Sequence, residues 1–363
     1  MIRKAGALWL CVGLAMVLVG GWAPLAGAGG VVTNGTVTLG INDHGALNFA
    51  GTGLIFNATG NDSTFPGCTC EGWGAGIVSS GISGYQNTAF GGPVNLSLVS
   101  FVSTASTATS VVNINDPSGG PALQVSQAYH PIAGTPNLYQ VDVAITNLTG
   151  APLAAGDLVY RRVMDWDIEP TPFSEFVTIQ GVPALLGVAN GNNVRRTGND
   201  GFDTANPLAT VSGGMIGGGP GCASGVLALN SNFTDCGPAD HGSVWDFEFE
   251  ALAAGATRSF AIFYGAAATE AGADLARSMV DGDPTDVEIG LFSYGQCNSG
   301  SNASCSEITG TPNTFIFGFG AAGGILLPPP PPPTPGVPEP ASLLLLGAGL
   351  VAAAALKRAY RRK

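Results

Sequence analysis

Five consecutive residues, Asp165-Trp166-Asp167-Ile168-Glu169, preceded by Tyr160-Arg161-Arg162, hold the densest set of chemically capable side chains in this sequence. If residues 158–168 form a strand, side chains alternate between its faces. Asp165 and Asp167, with Glu169 just beyond, then share a face with Arg161 and Val163, while Tyr160, Arg162, Met164 and Trp166 take the other. Three carboxylates on one face repel unless something neutralises them. Ion pairing with Arg161, Arg195 or Arg196 is the first reading. The second is a hard divalent cation: calcium takes roughly six to eight oxygen ligands, and Asp200 and Asp203, in the turn Gly198-Asn199-Asp200-Gly201-Phe202-Asp203, are placed to complete such a set. Neither an EF-hand loop nor a calcium-binding nonapeptide repeat accompanies these residues.

Paired carboxylates are also the machinery of glycoside hydrolysis, with Asp167 or Glu169 acting across a cleft from Asp246, Glu248 or Glu250. The latter three alternate with Phe247 and Phe249, which is equally the pattern of a half-buried strand with a solvated face. His241 lies beside Asp240 and Ser243, but neighbours this close on a turn or strand cannot converge as a catalytic triad, so His241 reads as a turn residue. No Gly-x-Ser-x-Gly elbow or His-Glu-x-x-His helix is present to supply a nucleophile or a zinc site. Trp73, Tyr85, Trp166 and Trp245 are candidates for a sugar-binding surface, although aromatic residues on strands more often fill a core. The body is accordingly read as non-enzymatic and without a cofactor, with calcium at Asp165, Asp167, Glu169, Asp200 and Asp203 as the exception to be tested.

The elements that must position these groups read almost wholly as strands. Short runs rich in β-branched and aromatic residues fall at 31–41, 94–102, 109–114, 123–129, 138–146, 158–168, 176–179, 226–229, 244–252, 257–264, 287–293 and 314–319. Gly, Asn, Pro and Asp punctuate the gaps as tight turns demand. Only residues 269–280 look helical, with Thr269 as cap, Glu270 early and Arg277 late. The predicted fold is all-β: a large antiparallel β-sandwich with one short helix over residues 29–320. Asp43-His44-Gly45 and Asp240-His241-Gly242 echo one another and read as similar tight turns into strands.

Both ends carry addresses. Arg3 and Lys4 precede an apolar run, and Ala26-Gly27-Ala28 offers the small side chains that signal peptidase needs, predicting a signal peptide over 1–28 cleaved after Ala28. Residues 321–336 form a Gly/Pro-rich linker containing a proline rod from Pro328 to Pro333. Val337-Pro338-Glu339-Pro340 then leads into an apolar stretch from Ala341 to Leu356, and a basic end with Lys357, Arg358, Arg361, Arg362 and Lys363. As a helix, the apolar stretch spans roughly 24 Å at about 1.5 Å per residue, a thin transmembrane anchor whose basic end stays on the cytoplasmic side.

This three-part tail, residues 337–363, resembles the PEP-CTERM sorting signal of Gram-negative bacteria. The resemblance implies recognition by an exosortase in the inner membrane, with Glu339 and its prolines as the processing motif, and release to the cell surface or exopolysaccharide matrix. The segments 160–175 and 235–242 are similar only to uncharacterised secreted proteins with the same tail, which implies no activity.

Composition fits export. Between leader and tail there are six arginines and no lysine, against 25 acidic residues in the whole chain. Such a body repels nucleic acid and anionic lipid, and favours divalent cations or neutral glycans as partners. Six cysteines remain after the leader, read as disulfides. Cys222 with Cys236 and Cys297 with Cys305 are the local pairings. They would leave Cys68 with Cys70, either a labile bridge or a sign that the pairing is different, with a redox Cys-x-Cys as the functional alternative. Asn-x-Ser/Thr sequons such as those at Asn34, Asn57 and Asn61 read as a by-product of Asn, Ser and Thr abundance. The sequence thus predicts a non-enzymatic, exported surface or matrix protein; the rivals are a secreted carbohydrate-active enzyme and a calcium-dependent adhesin.

Overall fold

Asn34 and Gly35 divide what reads as one strand over 31–41. Asn34 Oδ1 accepts from the backbone N–H groups of Thr36 and Val37 at 3.0 and 2.8 Å, and Gly35 takes a φ of 93°, a conformation open to a residue without Cβ. The chain reverses there, so β1 (Gly29–Thr33) pairs antiparallel with β2 (Val37–Asn42). The computed structural model describes residues 29–211, 229–280 and 289–320. They belong to a first compact unit, Met1–Ile325; the second unit, Leu326–Lys363, lies outside them, as do the predicted signal peptide, the linker and the sorting span. No helix among the described residues is long and apolar enough to cross a membrane.

The described strands form three antiparallel sheets. One continues from β1 and β2 through β3 (Leu54–Phe56) to β4 (Asn61–Asp62). A second contains β5 (Gly72–Ile77), β6 (Ile82–Asn87), β11 (Leu158–Trp166), β13 (Val194–Gly198) and β15 (His241–Glu248), in the order β13-β15-β11-β5-β6. The third is the largest. It holds β7 (Leu96–Ser103), β8 (Ala108–Asn115), β9 (Pro121–Pro131), β10 (Leu138–Asn147), β12 (Glu175–Gln180), β14 (Phe233–Ala239), β16 (Thr257–Ala267), β17 (Leu291–Gln296) and β18 (Thr314–Phe319). Their order is β14-β12-β17-β18-β16-β10-β9-β8-β7.

Aromatic rings join the second and third sheets face to face. Tyr160 of β11 meets Phe260 of β16 edge-on at 5.0 Å between centroids, and Phe247 of β15 lies 4.7 Å from Phe319 of β18. This is the sandwich that the sequence predicts. In β8 and β10 buried and part-exposed residues alternate, whereas all of β11, β17 and β18 is buried, so those strands are covered on both faces.

Two coverings account for β11 and β17. On β17 the cover is α1 (Glu270–Ser278), two residues shorter at its C-terminal end than the sequence reading: Thr269 caps it by accepting from Gly272 N–H at 3.1 Å, and Arg277 lies 3.6 Å over the Phe292 ring. On β11 the cover is the loop after β13. Arg161 donates to the carbonyls of Thr204 and Ala209 at 2.9 Å each, and Val163 packs with Ala205, Val211 and Val244. Gly74 permits the loop's approach beside β11, because a Cβ there would stand 2.2 Å from Ala205 O.

Several strands, β3 to β6, β13 and β14, are not among the runs expected from the sequence: β3 and β4 are only three and two residues long, and Gly, polar or charged residues interrupt the others. The expected runs 226–229 and 287–293 lie partly outside the described residues. The two Asp-His-Gly echoes are not alike: Gly45 has a φ of 80° in a turn, whereas Gly242 is inside β15, where a Cβ would meet Met164 O at 1.9 Å. His241 is therefore a strand residue, not a turn residue. Cys297 is bridged to Cys305, and Cys68 to Cys70; Cys236 is disulfide-bonded, while Cys222 lies outside the described residues.

Candidate functional site

β11 presents Asp165 on its outer face, opposite Trp166, as alternation requires. The strand ends at Trp166. Asp167 continues from it with its N–H donated to Ser63 O at 2.8 Å, so its carboxylate is set by the 62–68 segment rather than by a sheet partner. That segment comes very close: a Cβ on Gly67 would lie 2.2 Å from either Asp167 carboxylate oxygen. Asp240, between β14 and β15, brings a third carboxylate, because β15 pairs with β11 and sets Gly242 opposite Asp165. The ligating oxygens of Asp165, Asp167 and Asp240 all lie within 4.8 Å of one another.

Two of the three carboxylates are buried, and the cluster is poor in donors. Asp165 is 2% exposed and Asp167 is fully buried. Neither oxygen of Asp167, nor Oδ1 of Asp165, meets a donor in hydrogen-bonding geometry, and Asp165 Oδ2 has the Cys68 sulfur at 3.3 Å. Burial, then the charges of Asp167 and Asp240, holds the Asp165 carboxyl well above the usual range. Burial likewise pushes Asp167 up to about 7, although its contact with the Asp165 carboxyl and, less, the Gly67 and Cys68 backbone N–H groups pull it back. Asp240 is raised by partial burial alone. Buried Glu175 is also raised by desolvation, despite accepting from His241 N–H at 3.0 Å.

The other candidates go elsewhere. Glu169 turns away from the cluster and accepts from Asp62 N–H at 2.8 Å. Asp200 and Asp203 accept from the backbone of their own turn and add negative potential around Arg161, with Asp200 also acting on Asp165. The arginines do not neutralise the cluster. Arg161 grips both oxygens of Asp246, at 2.6 and 2.8 Å, and Arg196 approaches Asp246 at 3.6 Å. Arg195 lies 3.7 Å from Glu248, and Arg258 lies 4.0 Å from exposed Glu250.

His241 and Ser243 share a face of β15, both fully buried, and no ring nitrogen or hydroxyl between them finds a partner. Burial lowers the His241 pKa to about 4, keeping the imidazole neutral. Trp73, Trp166 and Trp245 are fully buried and cannot form a sugar platform; only Tyr85 is partly exposed. Asp240 is the member of the cluster that the sequence hides, since it stands more than seventy residues from Asp165 and no local motif joins them.

Fold and site together define a disulfide-bridged, all-β protein with a buried cluster of three carboxylates that none of its arginines reaches among the described residues. Its tail then places it: residues 336–362 match the PEP-CTERM protein-sorting motif, which marks an exported protein that passes through the membrane and is processed by an exosortase for the cell surface. No curated protein matches the chain. A solved structure from Escherichia coli K12, provisionally assigned as an aldose 1-epimerase, is similar at 12% identity over 81% of this chain and 89% of that one, with a TM-score of 0.28.

Proposed function

We propose that this chain is a non-enzymatic structural or binding component of the cell surface or exopolysaccharide matrix, delivered by its leader and released by an exosortase at Val337-Pro338-Glu339-Pro340. The sorting motif at 336–362 carries the reading. The geometry of the carboxylates supports the non-enzymatic part. A glycosidase needs a pair standing about 5 to 9.5 Å apart across an open cleft. Here Asp246 is clamped by Arg161, Glu248 accepts from Val188 N–H at 3.0 Å, and Asp165 and Asp167 stand against each other in the interior.

The test is fractionation of the native host, followed by incubation of the purified protein with the producer's own polysaccharide. Recovery in the matrix fraction with an unaltered polymer size distribution is the expected result. Depolymerisation that disappears in Asp167→Asn or Glu248→Gln would replace this reading with a carbohydrate-active enzyme.

A further inference from the structure

We propose that Asp165, Asp167 and Asp240 form a binding site for a hard divalent cation, of which calcium is the natural occupant in an extracellular setting. Their ligating oxygens converge within 4.8 Å. The second observation is Asp167 itself: its carboxylate is fully buried, neither oxygen makes a hydrogen bond of ordinary geometry even with the Gly67 and Cys68 N–H groups nearby, and both belong to this convergence. A buried carboxylate this poorly satisfied is among the costliest arrangements in a protein unless a charge partner is supplied.

The chain has no such partner to give. Every arginine of the body faces an acid elsewhere: Arg161 and Arg196 on Asp246, Arg162 on Glu71, Arg195 on Glu248, Arg258 on Glu250 and Arg277 on Asp274. There is no lysine between leader and tail. His44 and His130 are occupied with Asp43 and Asp142, and His241, paired with Trp166 across β11 and β15, projects to the face of the sheet opposite Asp165. Neutralisation must therefore come from protons or from an outside cation.

The donor set is oxygen without imidazole, and the nearby Cys68 sulfur is tied in a bridge with Cys70, so hard ions are favoured over zinc or copper. Asp240 is only partly buried, which gives an ion a way in and leaves coordination positions for water. Glu169, though next in sequence, does not belong to the set, because its carboxylate is engaged at Asp62.

Terbium, a calcium analogue excited through tryptophan, is a suited probe because Trp166 lies between two of the ligands in sequence. Purified full-length protein in detergent should show terbium emission on tryptophan excitation, displaced by calcium, and calcium should raise the unfolding midpoint above that in EDTA at matched ionic strength. Asp240→Asn, at the partly exposed ligand, should fold yet weaken terbium binding about tenfold or more. Glu169→Gln should bind like the wild type. Two outcomes would overturn the site: a midpoint indifferent to calcium with no terbium emission, which assigns Asp165 and Asp167 to a proton-sharing pair, or equal loss in Glu169→Gln and Asp240→Asn, which reduces binding to diffuse surface charge.

Discussion

Arg162 Nε donates to Glu71 Oε1 at 2.5 Å, with both side chains fully buried between the sheets of the sandwich. The remaining groups of this pair are also used. Arg162 Nη1 reaches Gln127 Oε1 at 2.6 Å, Tyr264 OH donates to Glu71 Oε1 at 2.8 Å, and Leu47 N–H donates to Glu71 Oε2 at 2.6 Å. The pair thus ties β5's approach, β9, β11 and β16 together through charge-assisted hydrogen bonds in a low dielectric. Glu71→Gln would leave the Arg162 guanidinium buried without its counter-charge and should cost about 3–5 kcal/mol. Arg162→Met should cost a similar amount, and the double variant less than the two together, because it strands no charge. Urea unfolding of the three variants checks this; a loss below about 1 kcal/mol in Glu71→Gln would mean that water reaches the pair.

Some of this architecture was legible in the sequence because it is local. The alternation of Tyr160, Arg162, Met164 and Trp166 against Arg161, Val163 and Asp165 follows from the period of a strand, and Thr269 announces its own helix. What was not legible is what the strand order brings together. Glu71 meets Arg162 across 91 positions, and Asp240 meets Asp165 only because β15 pairs with β11. Glycine-rich β5 was invisible for a further reason: Gly72, Gly74 and Gly76 are selected by the backbone packed against them and not by strand propensity.

Gly74 gives the test of that last point. A Cβ there would stand 2.2 Å from Ala205 O and 2.9 Å from Pro207 Cδ, so the loop covering β11 would have to lift. Gly74→Ala should destabilise the protein by about 1–3 kcal/mol, with faster amide exchange in residues 204–209. Gly290→Ala, at an exposed position with no heavy atom within 4 Å of the added Cβ, should remain within about 0.5 kcal/mol of wild type. Equal effects at the two sites would show that the loop is not held by this contact.

A pH dependence follows from His130. Its Nε2 lies 3.1 Å from Asp142 Oδ2 and its Nδ1 lies 3.1 Å from Pro131 O, so only the protonated ring, with two N–H groups, satisfies both acceptors. The hydrogen bond to Asp142 raises its pKa above the usual 6.5, against the opposing effect of burial. Because the folded value lies above the unfolded one, the stabilisation is fully present below about 6.5 and is lost as pH rises through the folded value. Both side chains are 36% exposed, so solvent screening should keep it below about 1 kcal/mol. NMR titration of the His130 ring should give a value above 6.5 that falls back in Asp142→Asn; an unmoved titration would remove Asp142 as the cause.

The sorting tail makes the last prediction, and the body supplies part of its reasoning. Gly29, the residue following the predicted cleavage at Ala28, is paired with Asn42 in the first sheet. From the small residues Ala26-Gly27-Ala28, protein recovered from the native host should begin at or beside Gly29. At the other end, the match to the sorting motif over residues 336–362 puts the expected processing point at Pro338-Glu339-Pro340. The mature mass should end near Pro338–Pro340 and lack the segment from Ala341 to Lys363. Glu339→Ala leaves leader, body and apolar span untouched, so it should be exported normally and then accumulate in the inner membrane with Lys357 to Lys363 still attached. Intact-mass spectrometry of membrane and released fractions distinguishes the outcomes: wild-type protein residing stably in the inner membrane with its basic end in place would make the tail a permanent anchor and the body a periplasmic domain.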